Sequence, residues 1–332
     1  MLKRSLMDKY IIDDLKAVKY ESQREMLGEA MLEAGRENAK VVAVTADVGD
    51  STRLLKFRDE FPGRFYDAGV SEQAMIGTAV GLASIGLIPF AALFGAFEAG
   101  RAYDHIRVSV GINRANVVLI GSHVGFSNPG DGVTAQSLTD IALMKSIPQM
   151  TIVSPADTVE LKKAIKLAVD FVGPLYIRIA RDATPVFTKS TVPFDFGSAD
   201  VLKEGSDVTI IGTGPIVFNA LLVAEELMQE NISVEVIDCH TIKPLDTQTI
   251  LKSLSKTKAG VTVEEHSVMG GFGDEVGRVV LQNNPVPIEF VGVLDRNGQS
   301  ARSYDELINH YGLGVEDIKK AVKRVISRKN TG

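Results

Sequence analysis

A glutamate at the head of an otherwise uncharged helix is the residue in this chain best placed to do chemistry. In Asp67 to Gly86, DAGVSEQAMIGTAVGLASIG, Glu72 is the only charge after Asp67. Ser71 stands in the N-cap position, and the pattern predicts a helix from Glu72 to about Ile85. Gly77, Ala79, Gly81 and Ala83 leave that helix almost no girth. Interior glycines cost roughly 0.5–1 kcal/mol each relative to alanine, so they call for a packing partner, either a neighbouring helix or a bound ring. A carboxyl in a dry setting can share or move a proton, and Glu72 is taken as the catalytic centre. The plain alternative is a buried helix with a polar first turn.

The elements that must carry this glutamate follow a βαβ rhythm. Residues 1 to about 35 read as a helical lead-in ending at Gly35. Strand-like runs follow at Val41–Thr45, Ile88–Phe94, Val117–Gly121, Thr151–Val153 and Leu175–Ile179. Helical patterns at Glu72–Ile85, Ala99–Val110, Leu138–Ser146 and Thr158–Phe171 separate them. From Thr184 to Asp207 the periodicity stops among prolines and glycines, and this stretch reads as a linker. A second alternation then runs to Val293, followed by C-terminal helices. The expected fold class is α/β, with two consecutive domains, each a mostly parallel sheet flanked by helices.

Within the second half, GTGPIVFNA from Gly212 offers G-x-G after a strand, and Asp238 ends the next strand where a dinucleotide-binding acid would sit. Val217 replaces the third glycine of that fingerprint, so a tight strand-to-helix turn is the simpler reading.

Composition excludes several function classes. In 332 residues, 36 Lys and Arg stand against 42 Asp and Glu, for a net charge of -6. No basic run offers a surface to nucleic acid or an anionic membrane, so neither partner is expected. Ala74 to Phe97 contains no charged residue and is long enough to span a bilayer. Pro89 divides it and Gly86 ends its first half, so a buried helix and a buried strand explain it better. The single cysteine, Cys239, reads as a core residue in a reducing compartment. With an N-terminus whose charges break any apolar signal region, the expected location is the cytoplasm.

Several ordered motifs carry a family resemblance. They are TADVGDST at 45–52, GVSEQAM at 69–75, LFGAFEAGRAYDHIR at 93–107, GSHVGFSNPGDGVTAQ at 121–136, GPLYIRIAR at 173–181, VIDCHTIKPLD at 236–246 and VEEHSVMGGFG at 263–273. From about residue 20 onward the chain resembles the C-terminal half of a split transketolase, a thiamine diphosphate enzyme. The wider superfamily, including 1-deoxyxylulose 5-phosphate synthase and 2-oxo acid dehydrogenase beta subunits, shares most of these motifs.

The resemblance implies a lead-in at 1–19, a pyrimidine-binding domain at 20–185, a linker at 186–206 and a transketolase C-terminal domain at 207–332. It implies that Glu72 hydrogen-bonds the cofactor's aminopyrimidine, that Phe94 and Phe97 line that ring's pocket, and that Asp47 is a cofactor-side acid. His123 matches a catalytic residue that contacts the donor sugar near its carbonyl, and Asp131 one that reads the adjacent hydroxyl. Ser51, Arg178 and Arg181 match groups that hold the sugar phosphate, a task suited to the guanidinium fork. For His266 the implied role is structural.

The sequence departs from the family pattern at Ala135, where a substrate-facing histidine is usual, and in SNPGDG, where VGEDG is usual. The expectation is an intact cofactor pocket beside a reshaped sugar pocket. Gly130-Asp131-Gly132 imitates part of a diphosphate and metal motif, but no asparagine pair follows at a suitable distance. No metal site is therefore expected here. Mg²⁺ and the cofactor diphosphate are expected on a second, N-terminal transketolase subunit in an α2β2 assembly acting on sugar phosphates. The rival readings are a 2-oxo acid dehydrogenase beta subunit, a deoxyxylulose phosphate synthase-like enzyme, and a non-catalytic scaffold.

Overall fold

The structure is a computed structural model that describes residues 7–331. Its first half contains strands β1 (Lys19–Ser22), β2 (Val41–Thr45), β3 (Phe65–Asp67), β4 (Ile88–Phe94), β5 (Val118–Ser122), β6 (Thr151–Val153), β7 (Leu175–Arg178) and β8 (Ala183–Val186). The second half contains β9 (Asp200–Lys203), β10 (Val208–Gly212), β11 (Val234–Asp238), β12 (Thr241–Lys243), β13 (Gly260–Ser267) and β14 (Ile288–Val293). Runs such as VVAVT in β2 are buried along their whole length, as strands covered on both faces must be.

The larger sheet has the order β12-β6-β7-β5-β4-β2-β3, and the smaller β14-β13-β10-β11-β9. All pairings within them are parallel except those of β12 with β6 and β9 with β11. Two packed α/β domains result, as expected. On one face of the larger sheet, helices Gln23–Glu37 and Thr158–Asp170 bury Leu27, Met31, Leu161 and Ile165. On the other, Met75, Ile76 and Ala79 of helix Glu72–Ser84 join a core that continues through Ile141 and Met144 to Phe272 and Val276 of the second domain.

Three expectations need correction. The lead-in is not one helix: a short helix Met7–Tyr10 is followed by β1 and then by Gln23–Glu37, while residues 1–6 lie outside the described residues. Ala99–Val110 divides into helices Gly95–Arg101 and Tyr103–His105 and a π-helix Ile106–Ile112. The aperiodic stretch is not wholly linker. β8 pairs antiparallel with β1, and β9 forms an edge of the second sheet. Asp238 cannot read a ribose, because it is fully buried, and burial together with Glu160 pushes its carboxyl well above the ordinary range. The glycine turn before it is a tight strand-to-helix turn, with Val217 N donating to Gly214 O at 3.1 Å.

No helix among the described residues is long and apolar enough to cross a membrane.

Candidate active site

The chemistry-bearing residues gather at the carboxyl ends of parallel strands, where an open α/β sheet leaves its crevice. β4 ends at Phe94, and the helix that follows carries Phe97 and Arg101. β5 ends at Ser122, and His123 follows with a left-handed φ of 59°. Phe94 stacks on Phe97 with ring centroids 5.8 Å apart, and on His123 at 3.8 Å. The Arg101 guanidinium lies over the Phe97 ring, 4.8 Å from its centroid, and its Nη1 donates to Glu72 Oε1 at 2.8 Å. One run of contacts therefore links Glu72, Arg101, Phe97, Phe94 and His123.

Glu72 is buried at the first turn of its helix, while its partner Arg101 is exposed. Ser71 makes no side-chain cap to that helix, against expectation. Nor does another part of the chain fill the helix's thin side: a Cβ on Gly77 or Gly81 would meet nothing within 4 Å. The helix thus leaves an uncharged small-residue face open beside the buried carboxylate.

His123 is 1% exposed, and its Nδ1 shares a hydrogen bond of 2.9 Å with Ser122 Oγ. Burial, and then the charges of Arg181, Arg24 and Arg53, bring its pKa down to about 3. The imidazole is therefore neutral at pH 7 and acts through hydrogen bonds rather than charge.

The three arginines form a cationic neighbourhood. Arg24 Nη1 reaches Ser51 O at 3.4 Å, and burial followed by Arg53 and Arg181 lowers the Arg24 pKa. Nε of Arg24 and Nε of Arg181 are buried without a hydrogen-bond partner. Arg53 is bound to Glu25 at 2.6 Å. Two orphaned guanidinium donors, one on Arg24 against half-buried Ser51 and one on Arg181, whose charge acts on Arg24, suit a tetrahedral oxyanion. Arg24 was missed in the sequence, where it reads as an ordinary charge on a helix face.

Arg178 belongs elsewhere. It is 2% exposed, its Nε donates to Asp140 Oδ2 at 2.8 Å, and its Nη2 donates to Glu265 O at 2.9 Å. Its guanidinium is therefore committed to the interior, which corrects the expectation that it holds a phosphate.

The remaining predicted residues are dispersed. Asp47 is exposed after β2, with a φ of 61°, and its N–H donates to Asp67 Oδ1 at 2.9 Å. Asp131 is exposed on the loop after His123, and its charge acts on Asp182 beside Arg181. Ala135 is buried in that loop, its carbonyl accepting from Asn128 Nδ2 at 3.0 Å. His266 is fully buried between the domains, with Ala142 N 3.4 Å from its Nε2. Glu98, next to Phe97, was not singled out in the sequence. Both its oxygens are buried without partners, and desolvation, then Asp140, raises its pKa well above the ordinary value. Among the described residues no group of three or more His, Cys, Asp or Glu could hold a metal ion.

Comparison with known proteins matches this layout to two domain families. Residues 21–186 match the transketolase pyrimidine-binding domain, and residues 197–318 the transketolase C-terminal domain. A 6-deoxy-6-sulfo-D-fructose transketolase subunit, SqwH, of Clostridium sp. (strain MSTE9) is 38% identical across 92% of this chain and 95% of its own. An apulose-4-phosphate transketolase subunit of Phocaeicola vulgatus is 35% identical across 92% of this chain and 97% of its own. A split-gene transketolase solved as an inactive beta4 tetramer superposes with a TM-score of 0.84 at 37% identity, covering 93% of this chain and 99% of its own. With both domains in tandem and split subunits matched along nearly their whole length, the chain belongs to the transketolase family, as a beta-type subunit of the split enzyme.

Proposed function

We propose that this chain is the beta subunit of a two-chain, thiamine diphosphate dependent transketolase that moves a two-carbon ketol unit from a ketose phosphate to an aldose phosphate. The observation that carries the reading is the contact run from Glu72 through Phe97 and Phe94 to His123, with the arginine group beside its far end.

The residues present fit the aminopyrimidine end of that cofactor. A buried carboxylate with one exposed partner stands beside two stacked phenylalanines, and Asp47 lies at the end of β2. When bound, the cofactor supplies a nucleophilic carbon and an electron sink. Glu72 would share a proton with the ring nitrogen it faces, and Phe94 and Phe97 would fix the ring plane and keep water from it. Neutral His123 can donate to or accept from a sugar oxygen near the reacting carbon, and Asp131 can accept from a neighbouring hydroxyl. Arg24, Arg181 and Ser51 would hold the substrate's anionic end, with Arg181 rather than Arg178 in that role.

Gly130-Asp131-Gly132 is followed by no asparagine pair at a suitable distance, and among the described residues no three His, Cys, Asp or Glu cluster, so this reading assigns the diphosphate and Mg²⁺ to an alpha subunit, in an α2β2 assembly. The open small-residue face beside Glu72 suits such a neighbour. The domains divide near 20–185 and 207–332, and a cytoplasmic location is part of this reading.

The two named relatives point to sulfo- and phospho-sugars, and both substrate names carry a tetrahedral anion. A pocket read by guanidinium groups suits either, and it favours a sugar anion over a 2-oxo acid. The test is to purify the chain with its native partner and assay ketol transfer from phosphorylated and sulfonated ketoses, beside Glu72→Ala. Transfer lost in the variant supports the reading. A wild-type complex inert toward every such donor overturns it.

A further inference from the structure

The loop that carries His123 is held by the second domain. Phe126 N donates to Glu265 Oε1 at 2.5 Å, and Tyr304 Oη donates to Glu265 Oε2 at 2.6 Å. The Phe126 ring stacks on Tyr311, centroids 4.4 Å apart. Gly125 makes the approach possible: at its φ of 59°, a Cβ would lie 2.3 Å from Glu265 Oε1. Only a glycine lets this carboxylate reach the backbone.

From Phe126 the constraint passes in two directions. His123 is three residues upstream. Downstream, Ser127 Oγ donates to Val124 O at 2.7 Å and accepts from Arg181 N at 3.0 Å, and Asp182 N donates to Ser127 O at 3.2 Å. The same short turn thus fixes the histidine's backbone and the strand end that bears Arg181. Further along the loop, Ala301 N donates to Pro129 O at 3.1 Å and Gln136 Nε2 to Gln299 O at 2.8 Å.

We propose that Glu265, braced by Tyr304, is a positioning residue through which the C-terminal domain sets His123 and Arg181 for substrate recognition. The sugar-facing role of those two residues rests on the proposed function, while their placement by Glu265 stands on the contacts above. Glu265 touches neither reacting group. It works by holding the turn closed, so its loss loosens the sugar site and leaves the Glu72 end intact.

The test uses selectively labelled histidine in the full-length isolated chain, with the His123 imidazole titrated by NMR. In the wild type and in Glu265→Gln, which keeps an acceptor for Phe126 N, His123 titrates near its value of about 3. In Glu265→Ala, water reaches the ring and the titration moves toward 6.5. In the two-chain enzyme the same variant raises donor KM about tenfold, as loss of one buried hydrogen bond would, with cofactor affinity unchanged. A folded Glu265→Ala whose His123 titrates as in the wild type overturns the proposal. So does Glu265→Gln behaving like Glu265→Ala. Where Glu265→Ala does not fold, Tyr304→Phe decides: a partial upward shift of His123 supports the clasp, and none overturns it. Absence of ketol transfer by the wild-type complex bears on the proposed function alone, because the titration is read on this chain without its partner.

Discussion

Phe94 and His123 stack nearly face to face, with ring centroids 3.8 Å apart and planes inclined by 20°. The stack ties the aromatic side of the site to its sugar-facing side and shields the imidazole. Phe94→Ala opens that face to water, and the His123 pKa rises from about 3 toward 6.5. Histidine NMR on the isolated chain checks this, and an unmoved titration would show that the Phe94 ring does not set it.

Arg101 competes with any ligand for Glu72. The pair is 2.8 Å long but its arginine is 59% exposed, so it stabilises the free chain by only about 0–1 kcal/mol. Arg101→Ala therefore leaves stability almost unchanged and tightens cofactor binding by the assembled enzyme up to roughly fivefold. Calorimetry of the complex reads both, and the effect shrinks at high salt. Weaker binding in Arg101→Ala would mean that the guanidinium helps hold the cofactor.

The two arginines of the GPLYIRIAR motif separate by role. Arg178→Met abandons the buried carboxylate of Asp140 and lowers unfolding free energy by about 3–5 kcal/mol, measured by urea denaturation. Arg181→Met leaves stability within about 1 kcal/mol and raises donor KM instead. Equal destabilisation by both would refute this division.

Stability should fall with rising pH through a carboxyl group at the seam between the domains. Glu160 is pushed up to about 8 by burial and then by Asp157, Asp200 is pushed up to about 6 mainly by burial, and burial followed by Glu160 raises Asp238 well above the ordinary carboxylate range. Folded chains keep these protons while unfolded chains release them near pH 4. Their contribution is thus complete below about pH 4 and is lost as pH rises through about 8. Glu160→Gln removes part of that dependence, so its stability relative to the wild type climbs between those limits. Denaturation curves at pH 5, 7 and 8 test it, and parallel curves would count against the assignment. The buried neutral imidazoles of His123, His240 and His266 have the opposite slope, losing stability as pH falls below 6.5 toward 3 to 4.

Long buried strands were legible because their apolar runs have one interpretation. β2 and β4 fall on the residues that sequence pattern marks. What pattern could not show is set by partners distant in the chain. β1 and β8 are four residues each and are recognisable only through their mutual pairing. Arg178 and Arg181 both read as arginines at the end of a buried strand, and only the position of Asp140 shows that one is sealed and the other open. Arg24 gains meaning from Ser51, and Glu265 from a backbone N–H 139 positions away.

β12 crosses from the second half of the sequence to close one edge of the first domain's sheet, and Lys243 secures it with hydrogen bonds to the carbonyls of Lys145 and Ile147 at 2.9 and 2.6 Å. Severing the chain between its domains would strip that edge, leaving the backbone of β6 bare and ready to recruit a strand from another molecule. An excised first domain is therefore an invitation to aggregation, and the two halves of this chain have to be expressed, inherited and engineered together.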